Sequence, residues 1–442
     1  MGHFTILVNL TLCLKNDDQI IDLPGLSEKA NFRQYSGYID IRDGKHYFYW
    51  FVESQKDPEN SLFGALVENG PFRVSPDGKR VDQTPWAWNT VANVVYLESP
   101  IGVGFSYSDD KLYNSTDEST AEDNHLFIEG FFKKYQSFKG NPFYIAGESY
   151  GGIYCPMLAQ RILRSKSDIN LKAFPTDIGG LRWQEGNGVI IGNGIQNLDK
   201  YQAQPTADFL LGHGLIKTDL FEKKIENCCQ CKSGDVQREL SGKCDSVELI
   251  EVHPVNYYNI YDKCPPPTAY ITNYNNYFAR MYSRPPMMSF NANHYDDCPT
   301  YKHIDWINTP EVRKALHVSI DDTHKWADCT DGIYHYTKPT PQFPVINELF
   351  DVYNLEKFVA FNGNFDTMCD HITTQYFIDS LGISKMSGYR PWYKSDGSVA
   401  GYVQNYKRGV TWVLVLAAGH MVPQNQPDSA LQMIKMVVDI KT

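Results

Sequence analysis

A serine between two glycines, in Gly147-Glu148-Ser149-Tyr150-Gly151, follows the apolar run Phe143-Tyr144-Ile145-Ala146 and precedes a stretch carrying Ile153, Met157 and Leu158. A G-x-S-x-G segment between a strand and a helix is a nucleophile elbow. Its glycines permit the sharp turn that holds the serine hydroxyl out of the sheet. The helix then aims its first amides at the charge that develops during reaction. The five-residue pattern alone also occurs in plain strand-to-helix turns, and it is the flanking strand and helix that make Ser149 a nucleophile candidate.

A serine hydroxyl is a weak nucleophile and needs a base held by a carboxylate. After an elbow of this kind the chain order is Ser, then Asp or Glu, then His. Asp366 lies just beyond the apolar run Lys357 to Phe361, in Asn362-Gly363-Asn364-Phe365-Asp366, and His420 lies just beyond Val410 to Leu416, in Ala418-Gly419-His420-Met421-Val422-Pro423. Singly, an Asp beside Asn-Gly is commonly a turn residue and a lone His commonly makes a local hydrogen bond. Their joint placement at strand ends, in the required order, singles them out.

The elements that must position these residues are legible as short apolar runs. Asn93 to Leu97, Phe143 to Ala146, Gly188 to Ile191, Lys357 to Phe361 and Val410 to Leu416 suit strands buried on both faces of a parallel sheet. Between them, Ile128, Phe131, Phe132 and Tyr135 follow the spacing of one buried helix face. Tyr38 to Ile41, Asp43-Gly44 and Tyr47 to Phe51 predict a β-hairpin. In Thr309-Pro310-Glu311, Thr suits a helix N-cap and Pro the first helical position. Alternation of strand and helix predicts a doubly wound, mostly parallel α/β sheet with right-handed crossovers. From about Arg182 to Tyr301 this alternation gives way to Cys, Pro, Asn and Tyr, which predicts an inserted cap over the carboxyl ends of the strands. The expected organisation is a first core part over 23–181, a cap over 182–300 and a second core part over 301–442.

The chain has 442 residues and a net charge of -11, and no basic run exceeds a pair of residues, which argues against nucleic acid as a partner. No stretch reaches the roughly 18 uninterrupted apolar residues of a membrane span. Within residues 1–22, the run Phe4 to Leu14 reads either as a weak or truncated signal segment or as a buried strand. Of the ten cysteines, seven fall from Cys228 to Cys329, which suits disulfides in an oxidising compartment. Zinc at Cys228, Cys229, Cys231 and Cys244 is the weaker reading, since they lack paired C-x-x-C spacing and have no nearby His in register. Asn114-Ser115-Thr116 is a glycosylation sequon and agrees with a secretory route.

The motifs G-E-S-Y-G-G, L-E-S-P-I-G-V-G-F-S-Y-S, N-G-x-x-D-x-x-C and A-G-H-M-V-P resemble those of serine carboxypeptidases, a family with the α/β-hydrolase fold. The likeness runs from about Leu23 to near the C-terminus and includes Tyr49 to Pro58 and Arg390-Pro391-Trp392. It implies Ser149, Asp366 and His420 as a catalytic triad and peptides as substrates, cleaved by an acyl-enzyme mechanism one C-terminal residue at a time at acidic pH. No cofactor or metal is implied. It also implies a secretory, lysosomal or extracellular location, a homodimer and lysosomal hydrolase partners. Glu148 and Glu68 are implied to lie side by side and to hold the substrate's terminal carboxylate. Two carboxyl groups in contact resist double ionisation, so one keeps its proton in weak acid and can donate it to that carboxylate. The other reading of Glu68 is a solvated loop residue.

One departure stands out. Relatives carry, before the segment matching Leu66 to Phe72, an inner strand leading into W-L-N-G-G-P-G-C-S-S, whereas here Ser61 is followed directly by Leu62-Phe63-Gly64-Ala65. The lost segment supplies an oxyanion amide, a carboxylate-binding Asn and a Cys. The Tyr150 amide is then left for the oxyanion and Cys329 without a mate. The likeness implies pairing of Cys264 with Cys298 and Cys228 with Cys244, an uncertain Cys229 and Cys231 pair, and free thiols at Cys155 and Cys369. Cys13 would leave with any leader. The competing reading is a non-catalytic or impaired variant that serves as a protective binding partner in the lysosome.

Overall fold

A computed structural model describes residues 4–6 as backbone, and 17–55, 66, 68–171, 187–195, 203–219, 221–222, 256–262, 302–321, 324–328 and 340–437. The expectations for Cys13, the cysteines between Cys228 and Cys329, and the Ser61 junction lie outside these residues. The strands are β1 Phe4–Ile6, β2 Gln34–Ile41, β3 Lys45–Val52, β4 Phe72–Val74, β5 Val81–Gln83, β6 Val94–Leu97, β7 Tyr107–Ser108, β8 Tyr144–Glu148, β9 Gly188–Gly192, β10 Lys357–Gly363, β11 Arg390–Tyr393, β12 Val399–Asn405 and β13 Val410–Val415. The α-helices are α1 Asp117–Lys134, α2 Gly151–Ser165, α3 Ala203–Gly212, α4 Lys302–Ile307, α5 Pro310–Ala315, α6 Gln342–Asp351, α7 His371–Ser380, α8 Val422–Asn425 and α9 Pro427–Val437.

The main sheet runs β11-β12-β13-β10-β9-β8-β1-β6-β3-β2, with β7 attached to β3. Strands β8, β9, β10 and β13 form a parallel block. Side chains in that block alternate between two cores. Ile145, Val189, Ile191, Phe358, Ala360, Trp412 and Leu414 face α1, α2 and α6, while Tyr144, Ala146, Ile190, Val359, Phe361, Val413 and Val415 face α9. A strand buried on both faces leaves no polar positions to betray its period, which is why these segments read as unbroken apolar runs.

The predicted hairpin forms as β2 and β3, paired from Gln34 with Val52 to Ile41 with Lys45. Its turn places Asp43 at φ 60° and Gly44 at φ 63°, the left-handed pair that suits the twist of the flanking strands. Helix α1 begins at a capping box, in which the Thr116 hydroxyl accepts from the Ser119 amide and the Ser119 hydroxyl accepts from the Thr116 amide. At α5 the expectation holds only in part. Pro310 is the first helical residue, but Thr309 makes no side-chain cap and its hydroxyl donates to the Trp306 carbonyl at 2.9 Å.

One expectation needs correction. β9 is a central strand between β8 and β10, so the core sheet reaches Gly192, inside the range assigned to the cap. Between β6 and β8 runs β1, antiparallel to both, with Phe4 opposite Leu97 and Gly147 and Ile6 opposite Val95 and Ile145. Among the described residues the sheet therefore has no empty position along this order, because β1 pairs with the neighbours β6 and β8. Of the two readings of the first residues, Phe4–Ile6 take the strand.

Candidate active site

β8 ends at Glu148, and Ser149 follows at φ 57°. A left-handed serine is a strained residue, tolerated where the surroundings over-determine it. The surroundings do so here. The Ser149 amide donates to the Gly192 carbonyl at 3.0 Å, and the Ser149 carbonyl accepts from Ile195 at 2.9 Å and Gly152 at 3.0 Å. Tyr150 caps α2, so its amide stands at the positive end of the helix beside the nucleophile. Its hydroxyl is held by Asp117 at 2.9 Å. Gly152 admits no side chain, because a Cβ there would stand 2.3 Å from the Ile195 carbonyl oxygen.

Asp366 is fully buried beyond β10. It accepts from the Met368 amide at 2.8 Å, the Cys369 amide at 3.2 Å and the His420 ring Nδ1 at 2.7 Å. With a carboxylate as partner, Nδ1 must carry the proton, which leaves the Nε2 lone pair to act as base. His420 lies beyond β13, and its amide donates to the Tyr258 carbonyl at 2.6 Å. The Tyr258 ring stands edge-on to the imidazole, 5.0 Å between centroids. Nε2 lies 4.0 Å from a Glu148 carboxylate oxygen.

Glu148 is hydrogen-bonded to Glu68. Burial first, then the Glu68 and Asp366 charges, push the Glu148 carboxyl well above its ordinary range. The two glutamates thus meet beside His420. Glu68 is held in turn by Arg73, whose guanidinium donates to the carbonyls of Glu68, Gly70 at 3.1 Å and Phe72 at 2.7 Å. Arg73 is itself lowered by burial, an effect the Glu68 charge opposes.

Cys155 and Cys369 are free and buried. The Cys369 thiol is hydrogen-bonded to Ser149, and burial, followed by the Asp366, Asp370 and Glu148 charges, pushes it well above its ordinary range, so it is a neutral thiol. Asp366, Cys369 and His420 are the cluster of metal-type ligands among the described residues, within 4.8 Å of one another. Two of them are already bonded to each other as members of the Ser-Asp-His set. Asn114 is exposed before α1. Sequence reasoning passed over Arg73 and Tyr258. A charged residue inside the apolar triplet Phe72-Arg73-Val74 is a usable signal for the first. Tyr258 has none, since it is one tyrosine among many in the inserted region.

Comparison with known proteins identifies the family and the fold. The sequence profile of Peptidase S10, serine carboxypeptidase, matches residues 24–439. The chain is 32% identical to the mouse (Mus musculus) lysosomal protective protein, over 95% of this chain and 93% of that one. It is also 32% identical to serine carboxypeptidase-like 40 of Arabidopsis thaliana, over 95% and 82%. Among solved structures, a prohormone-processing carboxypeptidase from Saccharomyces cerevisiae superposes with a TM-score of 0.70 at 20% identity, over 97% of each chain.

Proposed function

The chain belongs to the serine carboxypeptidase family, and from that premise we propose that it removes single C-terminal residues from peptides in weakly acidic solution. Ser149 attacks the last peptide carbonyl while the His420 Nε2 takes its proton. Asp366 steadies the imidazolium. The Tyr150 amide donates to the oxyanion. Collapse passes the proton from His420 to the departing amine and leaves an acyl group on Ser149. Water, activated by the same imidazole, then releases the shortened peptide.

The observation that carries the carboxypeptidase reading over an ester hydrolase is the contact of Glu148 with Glu68 beside His420. A protonated carboxyl there donates to a substrate carboxylate, and an ester offers it nothing to hold. Exposed Asn114 and the crowded cysteines support a secretory or lysosomal setting. The test is labelling of Ser149 by a fluorophosphonate, expected in the wild type and lost in His420→Ala. It is joined by release of the last residue from a blocked dipeptide but not from its C-terminal amide. A folded chain that takes no label would instead favour the non-catalytic binding partner.

A further inference from the structure

Ser149, Asp366 and His420 arrive on three different loops, after β8, β10 and β13, and something must fix those loops to one another. We propose that Asn193 is the positioning residue that does this, bonding the end of β10, from which the Asp366 loop departs, to the His420 loop from the end of β9. Asn193 is fully buried one residue past β9. Its side-chain oxygen accepts from the Gly363 amide at 3.0 Å. Its side-chain nitrogen donates to the Gly419 carbonyl at 3.2 Å and to the carbonyl of His420 itself. Its own amide donates to the Phe361 carbonyl at 2.8 Å. Residues just before and just after it hold the third loop, because Gly192 accepts from the Ser149 amide and Ile195 donates to the Ser149 carbonyl.

The chemistry selects this side chain. The two loops touch through their backbones, so closely that a Cβ on Gly363 would stand 2.2 Å from the Gly419 carbonyl oxygen. A short side chain must offer an acceptor to one loop and two donors to the other, and a primary amide is the group that does so. Asn193 sits at φ 40°, a left-handed conformation that Asn adopts more readily than most residues and that persists where the surroundings require it. Asn193 touches no reacting atom. It acts through the carbonyl of His420, and so through the direction of the imidazole.

The inference rests on the triad reading above, and Asn193→Asp separates it from a merely structural role. The replacement keeps shape and acceptor but turns a second oxygen toward two carbonyl oxygens. The titratable groups around it are Glu148 on β8, opposite Gly192, Asp366 beyond β10, and His420. Burial and the neighbouring Asp366 carboxyl disfavour the charged form of the new acid, so it takes up its proton in weakly acidic solution. Once protonated it can donate to the His420 carbonyl again.

At neutral pH the fluorophosphonate labelling rate of Asn193→Asp is expected to fall about a hundredfold, the scale of a 1 Å misplacement, and to recover toward wild type on acidification. Asn193→Ala should stay slow at every pH. Independently of activity, hydrogen exchange in Asn193→Ala should quicken over 363–369 and 417–421 while 410–415 stays protected. Labelling of Asn193→Asp at the wild-type rate and pH profile overturns the proposal, as does unchanged exchange in both loops. Should the wild type itself take no label, the carboxypeptidase reading fails and exchange alone decides.

Discussion

At the scale of single residues, the site turns on which carboxyl groups are charged. Asp366 accepts three hydrogen bonds, one of them from the imidazole, while Glu148, 4.0 Å from the same imidazole, has its ionisation pushed well above its ordinary range by burial and by Glu68. The sign follows directly. An acid whose ionisation is pushed above its ordinary value of 4.5 holds an extra proton in the folded state, so both its donor capacity and its share of stability are present in acid and fade as pH rises. In the wild type, KM for a peptide acid should therefore climb from weakly acidic to neutral pH. Glu148→Gln keeps a donor at every pH and should flatten that climb. An unchanged KM profile in the variant would remove Glu148 from substrate binding.

At the scale of elements, the elbow depends on a near-contact between α2 and the end of β9. Gly152→Ala would place a methyl 2.3 Å from the Ile195 carbonyl oxygen and 2.7 Å from its nitrogen, so the backbone that supports Ser149 has to move. We expect a stability loss of about 1–3 kcal/mol, the usual cost of overpacking. We also expect a drop in the Ser149 labelling rate larger than the drop in thermal stability accounts for. Labelling at the wild-type rate would show that the loop yields without disturbing the nucleophile. Much of this element scale was legible in the sequence. The runs around Val94, Ile145, Ile190, Phe358 and Val413 announced strands, and the residues beyond their ends announced Ser149, Asp366 and His420, because burial on both faces leaves a dense local signature. Asn193 and Tyr258 were not legible. Their roles come from hydrogen bonds and ring contacts to chain far away, as when Asn193 meets His420 across 227 positions, and no local spacing records such a contact.

At the scale of the whole molecule, the same limit explains the strand the sequence left open. The departure after Ser61 left the neighbours of a lost inner strand to re-pair or to expose backbone groups, and the first residues read as a leader or as a buried strand. Pairing with β6 and β8 joins the antiparallel half, β2-β3-β6, to the parallel block that carries the site. Strand β1 is thus the seam of the sheet, and its neighbour β8 ends at Glu148, one residue before Ser149. Without it, the facing edges of β6 and β8 would hold unpartnered backbone groups, each costing about 1–3 kcal/mol where water cannot reach. A chain lacking residues 1–16 should therefore melt at lower temperature than the full chain. Hydrogen exchange should quicken at 94–97 and 144–148, while 357–363 and 410–415, paired to other strands, keep their protection. The strand and leader readings part at this point. If Phe4–Ile6 serve only as a leader, the shortened chain will match the full one in melting and in exchange at β6 and β8. If they complete the sheet, the loss will be centred on those two strands and will reach Ser149 through β8.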